Sequence, residues 1–178
     1  MANFESAISI VLQHEGGYVN DPVDPGGATN YGVSLRFLRA TGDLDLGDVD
    51  GDGDIDADDI RQMNRDQAIA IYRSEFWDRG GYEHIRHQNV ANKLFDAAVN
   101  MGPKQAHKLV QRALWSVGRR VVVDGQLGPR TLAAIQDANG AHLLAALRSE
   151  MAGFYRELIA RRPQLKKYRK GWERRAYA

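Results

Sequence analysis

The stretch His14–Ser34, HEGGYVNDPVDPGGATNYGVS, decides how this chain is read. Upstream of it Phe4, Ala7, Ile8, Val11 and Leu12 recur at helical spacing, and Glu15 continues that apolar stripe. Gly16 and Gly17 then stop the helix, because glycine readily takes the left-handed conformation that ends one. A glutamate on the inner stripe of a last turn is half buried. Desolvation and the negative end of the helix dipole both push such a carboxyl's pKa upward, which suits a general acid.

Pro22, Pro25 and the glycines around them predict a tight turn or short hairpin folding back over the helix end. That return carries Asp24 and Thr29 as companions for Glu15, with Asn20, Asp21, Asn30 and Tyr31 as hydrogen-bonding groups. On residue types alone a second reading stays open, in which Glu15 pairs with a neighbour and the Gly/Asp/Pro run is an ordinary surface turn.

As a compound, Glu15-Gly16-Gly17-Tyr18 followed by Asp24-Pro25-Gly26-Gly27-Ala28-Thr29-Asn30-Tyr31-Gly32 resembles the N-terminal signature of glycoside hydrolase family 108, the phage and bacterial muramidases. The resemblance implies a mainly α fold: a lysozyme-like helical lobe with a short hairpin or turn after the catalytic Glu, plus a helical C-terminal subdomain. It implies cleavage of the β-1,4 bond between N-acetylmuramic acid and N-acetylglucosamine. Glu15 is then the catalytic acid, Asp24 the stabiliser of the oxocarbenium-like transition state or the activator of water, and Thr29 the residue that positions that water. Thr29 stands one residue early against the Glu, Asp, Thr spacing of phage lysozymes. Tyr18, Asn20, Asn30, Tyr31 and Asn100 are the expected substrate contacts.

A second motif begins at Asp48. In DVDGDGDIDADD, oxygen-bearing side chains fall at loop positions one, three, five, seven, nine and twelve, namely Asp48, Asp50, Asp52, Asp54, Asp56 and Asp59, with Gly53 at six and Ile55 at eight. This is the ligand pattern of an EF-hand loop for Ca²⁺. Position seven ordinarily offers its backbone carbonyl, which leaves the Asp54 side chain to solvent, and Asp56 acts through a water. The twelfth residue is Asp rather than Glu, as in the loops of dockerin modules. A dockerin carries two such loops and this chain one, which argues against a cohesin partner. The expected role of Ca²⁺ is structural, closing an insertion beside the catalytic lobe, with no cofactor for the chemistry itself.

The bulk of the chain agrees with one domain, or one domain with a small companion. It has 178 residues, no cysteine and a formal net charge of +1. Nine of its 23 acidic residues fall between positions 43 and 59, while all 24 Lys and Arg lie elsewhere. From residue 141 onward ten Lys/Arg face three Glu, a basic surface suited to an anionic polymer. The N-terminus lacks the basic region of a signal peptide, and no apolar run approaches a membrane span. The expectation is synthesis in the cytoplasm without membrane insertion, and passage to the cell wall by a holin-type or other route, as for a phage or prophage endolysin. No nucleic-acid reader motif is present, and the expected partner is peptidoglycan, met by a monomer.

Along the rest of the chain, Val33–Thr41 reads as a helix ending at Gly42, and Asn64 to Gln67 as a capping box. Tyr72–Trp77 and Leu94–Gly102 resemble further family segments, the second being its central helix. Val121–Thr131, VVVDGQLGPRT, reads as a compact loop between helices and resembles an element of small peptidoglycan-binding modules. The expected division is a catalytic lobe at 1–102 and a helical C-terminal region at 103–178. Two rivals remain at this level: a wall-binding protein without hydrolysis, and a calcium-binding adaptor.

Overall fold

The computed structural model describes residues 1–14, 16–20 and 27–178, with His14 by its backbone alone. The described chain is mainly α-helical, and its only sheet there is a two-stranded hairpin. It divides into two compact units, Phe4–Arg79 and Met1–Asn3 together with Gly80–Ala178.

The N-terminal unit opens with α1 (Phe4–His14), whose Phe4, Ala7, Ile8 and Val11 are buried as their spacing requires. The hairpin follows, β1 (Thr29–Asn30) against β2 (Val33–Ser34), with Asn30 opposite Val33. Tyr31 and Gly32, the two turn residues, both have positive φ, 48° and 79°. That is the signature of the two-residue turn whose twist matches a hairpin. Glycine adopts it freely, whereas a tyrosine there costs about 1 kcal/mol. The Tyr72 hydroxyl donates to the Tyr31 carbonyl at 3.0 Å and helps to hold that backbone.

Helix α2 (Leu35–Thr41) starts two residues later than the sequence pattern predicts, because Ser34 caps it by accepting the Phe37 N–H and Val33 is drawn into the hairpin. A single turn, α3 (Leu44–Gly47), leads into the acidic loop, and α4 (Ala57–Gln62) leaves it. The predicted capping box opens α5 (Arg65–Tyr72), with the Asn64 side chain on the N–H groups of Asp66 and Gln67 and Gln67 on that of Asn64. Beyond Tyr72 the chain widens into a π-helical turn, Arg73–Asp78, which periodicity does not announce. The turn buries Trp77 edge-on against Phe4, 5.6 Å between ring centres, so this tryptophan belongs to the core.

In the C-terminal unit a 3-10 turn at Tyr82–His84 precedes α6 (Gln88–Met101). Every residue of α6 from Val90 to Ala98 is buried, so it is the unit's central strut and packs on both α7 (Pro103–Ser116) and α9 (Gly140–Arg161). Burying side chains such as Leu94 and Phe95 contributes about 1.5–3 kcal/mol each. This packing groups α6 with the helices after it in a compact unit whose main stretch begins at Gly80. The chain start joins the same unit, the Ala2 N–H donating to the Glu83 carbonyl and Asn3 exchanging hydrogen bonds with Gln88.

Between α7 and α8 (Pro129–Asp137) lies the VVVDGQLG segment, and Asn139 caps α9 as its position foretells. A 3-10 turn (Pro163–Tyr168) and α10 (Arg169–Tyr177) then return the chain against α9.

A buried ionic cluster lies inside this unit. Asp96 is wholly buried and accepts from Arg175 Nε at 3.0 Å, with Lys93 Nζ 3.8 Å away. Lys93 also donates to the Arg175 carbonyl at 2.8 Å, and burial holds its pKa below the ordinary lysine value.

Candidate functional site

Glu15 and Asp24, expected as the acid and its partner, lie outside the described residues. Residues 16–20 and those from Gly27 onward are described. The backbones of Val19 and Thr29 pair reciprocally, each N–H donating to the other's carbonyl at 2.8 Å. The two ends of the stretch that carries Asp24 are therefore pinned together, four residues after Glu15.

Thr29, on β1, is half-buried, and its hydroxyl donates weakly to the Gly27 carbonyl at 3.4 Å. Among the described residues no donor reaches that oxygen, whose two lone pairs can accept. Tyr31 is half-buried in the turn, and Asn20 is exposed. Tyr18 is 38 % exposed, and the Arg61 guanidinium lies 5.9 Å over its ring. The Tyr18 hydroxyl, as a hydrogen-bond partner, and then Asp58 raise the Arg61 pKa further.

Asn30, expected among the substrate contacts, is buried on β1. It is 6 % exposed, and its amide donates to the carbonyls of Ile60 and Met63 at 3.0 and 3.2 Å. Those carbonyls close the end of α4, so Asn30 fastens the hairpin to the helix that leaves the acidic loop. Its spacing in the signature could not distinguish a substrate contact from this anchor, because the partner lies 30 residues away.

The acidic loop is already wound around two of its carboxylates. Asp48 accepts from the N–H groups of Gly51, Asp52 and Gly53 at 2.7, 3.0 and 2.9 Å. Asp59, fully buried, accepts from Val49, Asp50 and Asp56 at 2.6, 3.3 and 2.6 Å. The side chains gather in two triads, Asp48-Asp50-Asp52 and Asp54-Asp56-Asp59, with potential ligand oxygens within 4.8 Å of one another in each. Desolvation, followed by Asp52 and Asp59, raises the Asp50 carboxyl's pKa. Repulsion from Asp52 is the leading cause at Asp54. An all-oxygen donor set with uncompensated negative charge fits a hard divalent cation.

Asn100, the remaining expected contact, is at the exposed end of α6, in the C-terminal unit. Its Oδ1 accepts from the Tyr155 hydroxyl at 2.7 Å.

The VVVDGQLGPRT segment is organised by residues that its own pattern does not reveal. Gln111 on α7 is fully buried; its amide donates to Asp124 Oδ1 and the Gln126 carbonyl at 2.8 and 2.9 Å and accepts from the Gly125 N–H at 2.9 Å. His107 Nδ1 lies 3.2 Å from the Gly125 carbonyl and Nε2 lies 2.9 Å from the Tyr82 hydroxyl. A carbonyl only accepts, so Nδ1 carries the proton and Nε2 takes the Tyr82 hydrogen. Burial lowers the His107 pKa and keeps this ring neutral. Gly125 has φ 80°, and a Cβ there would stand 2.7 Å from the Lys104 carbonyl, so glycine is required. Beside this segment, Arg119, Arg120, Val122, Arg130 and Ala133 line an open groove of about 1000 Å³. Among the described residues no helix is long and apolar enough to cross a membrane.

Comparison with known proteins gives this geometry its context. Residues 8–102 match the family model described as Glycosyl hydrolase 108, and residues 105–177 match the one described as Predicted Peptidoglycan domain. A solved structure titled "Structure of Brucella abortus SagA" superposes with a TM-score of 0.77 at 28 % identity, over 98 % of this chain and 89 % of that one. A search of the curated proteins finds no match. The first of these matches spans more than half the chain, and the second fills most of the remainder: the chain belongs to the glycosyl hydrolase 108 family and is a lysozyme-like glycoside hydrolase acting on peptidoglycan.

Proposed function

We propose that the enzyme is an N-acetylmuramidase, cleaving the β-1,4 bond between N-acetylmuramic acid and N-acetylglucosamine, with Glu15 as the general acid. The observation that carries this reading is the compound signature from Glu15 to Gly32, lying inside the family match at 8–102. The Val19–Thr29 pairing supports it by drawing together the ends of the segment that bears Asp24. In this mechanism Glu15 protonates the leaving glycosidic oxygen. Asp24 stabilises the oxocarbenium-like transition state or activates water, and the Thr29 hydroxyl orients that water. A carboxyl separation of about 5–5.5 Å corresponds to retention at the anomeric carbon and one of about 6.5–9.5 Å to inversion.

The loop Asp48–Asp59 would hold Ca²⁺ through the carboxylates of Asp48, Asp50, Asp52 and Asp59, with Asp56 through a water and position 54 through its backbone. The ion's contribution there is structural. Two ties support a path from the loop to the hairpin: Asn30 on Ile60 and Met63, and Tyr18 on Arg61. The biological setting we favour is a phage or prophage endolysin that reaches the wall by a holin-type or other route.

A wall-binding protein without hydrolysis is the second reading, favoured by the match at 105–177. Release of new reducing ends from purified peptidoglycan separates the two, since binding produces none. Steady release by the wild-type chain supports the muramidase, and wall binding with no release would replace it with the binding protein.

A further inference from the structure

The C-terminal unit holds a hollow of about 410 Å³ that no step of the proposed chemistry uses. Three separate elements build it: Asn100 and Met101 from the end of α6, Tyr155 and Leu158 from α9, and Tyr168 and Trp172 from the returning segment. Ligand pockets typically enclose about 300–1000 Å³, mostly apolar with a few placed polar groups, and this hollow has that character.

Its aromatic wall is continuous. Trp172 stacks on Tyr155 with ring centres 5.0 Å apart and planes 17° from parallel, and it meets Tyr168 at 5.6 Å and 30°. In a core such a stack would be sealed, but Tyr168 is 46 % exposed and Trp172 only partly covered. The polar group is also set in place. Tyr155, whose hydroxyl burial holds well above its ordinary pKa, stays a donor to Asn100 Oδ1, which fixes the amide plane and leaves the exposed Nδ2 hydrogens to donate outward. Beside the wall Lys167 Nζ stands 4.9 Å over the Tyr168 ring. Seven Lys or Arg and one Glu occupy positions 162–175, so the surroundings are cationic.

Each feature matches one part of an N-acetylated amino sugar. Aromatic rings cover the C–H surface of a pyranose, Met101 and Leu158 accept an acetamide methyl, and an oriented amide donates to a carbonyl or hydroxyl oxygen. The positive surroundings suit a strand whose alternate sugars carry carboxyl substituents.

We propose that this hollow is a saccharide-binding subsite, taking an N-acetylated sugar residue of an anionic glycan strand through Asn100, Tyr155, Tyr168 and Trp172. The proposal rests on the peptidoglycan reading for the identity of the strand. A nucleic acid would also use aromatic and cationic groups, but the apolar floor beside a single oriented amide favours an acetamido sugar.

The test is a titration of the ¹⁵N-labelled full chain with tri-N-acetylchitotriose and with the N-acetylglucosamine–N-acetylmuramic acid disaccharide. The signals followed are the Trp172 indole N–H and the Asn100 side-chain amide. Cellotriose, which lacks acetamido groups, and a short oligothymidylate serve as comparators. Both acetamido sugars are expected to shift the two signals, and cellotriose is not. Tyr168→Ala should weaken that binding about tenfold, while Tyr168→Phe, which keeps the ring, should stay within about twofold. The substituted side chain is largely exposed, and the spectrum itself reports whether the fold is intact. Unmoved signals, equal binding by Tyr168→Ala, or tighter binding of the oligothymidylate would each overturn the subsite. Reducing-end release by the wild type, assayed in parallel, judges the muramidase reading separately. Release with unmoved signals removes the subsite alone, and shifted signals without release remove the enzyme reading alone.

Discussion

The side-chain amide of Asn30 donates to the carbonyl of Ile60, 3.0 Å away, and so joins the strand that carries Thr29 to the helix that leaves the acidic loop. Asn30 is 6 % exposed and also serves Met63, so its removal leaves two carbonyls without their partner in a closed site. Asn30→Ala is expected to cost about 2–3 kcal/mol. For a chain of this size that lowers the Tm by about 4–12 °C. Thermal unfolding followed by circular dichroism checks it, and an unchanged Tm would mean that the hairpin is anchored by other contacts.

Glu15→Gln is nearly isosteric and removes the transferable proton. Reducing-end release from peptidoglycan should fall by about a hundredfold or more, at the lower end of what general acid catalysis contributes. The same assay on Asp24→Asn separates the two carboxylates. Near-normal turnover there would leave Glu15 working with another partner.

Calcium is expected to raise the Tm of the EDTA-treated protein. At about a hundred times the dissociation constant the gain is about 2.7 kcal/mol, provided only the folded chain binds. Asp59→Ala should abolish the gain, because it removes the buried carboxylate that also anchors both ends of the loop. A melting curve indifferent to both Ca²⁺ and EDTA would dismiss the metal site.

The acidic loop also carries a pH signature. Asp54 has its pKa raised above 3.8, first by Asp52 and then by desolvation and Asp56. A carboxyl with a raised folded-state pKa binds its proton more tightly in the folded chain, so its contribution to stability declines as pH rises through that range. Without metal, Asp54→Asn should therefore raise the Tm at pH 7, and the gain should vanish as pH falls below about 3.8, where the carboxyl is protonated in both states. Because position seven of the loop offers its backbone, the variant should still bind Ca²⁺. An unchanged or lower Tm for Asp54→Asn at neutral pH without metal would contradict the repulsion.

Arg175→Ala strips the wholly buried Asp96 of its direct ion pair. Removing one partner of a buried pair costs about 3–5 kcal/mol, whereas replacing both by apolar groups of similar volume can be close to neutral. Because Lys93 Nζ also faces Asp96 at 3.8 Å, the triple substitution Lys93→Met, Asp96→Leu and Arg175→Met, which removes all three charged groups, should therefore recover much of the Tm lost by Arg175→Ala. Equal losses in the single and triple variants would place the effect in packing rather than charge.

Local features of the chain were legible because their causes are local. The Asn64–Gln67 capping box, the Asn139 cap and the helix end at Gly42 each depend on partners within a few residues, and each forms where the pattern places it. The acidic side chains of the loop gather in two triads, since a short loop with glycine at its turn leaves few arrangements. The signature from Glu15 to Gly32 was sufficient to indicate the family, and through it the mainly α fold.

Tertiary structure alone decided the rest. No periodicity assigns α6 to the helices that follow it, because a helix buried on all sides accepts neighbours from any direction. Nor does Asn30 reveal in its own neighbourhood that its amide is used 30 residues away. Asn100 and Tyr155, 55 positions apart, meet only when α6 and α9 pack, and the hollow beside them exists only then. Sequence specified the caps, turns and apolar faces through short-range sterics and hydrogen bonding, while long-range packing chose which polar groups those faces would bring together.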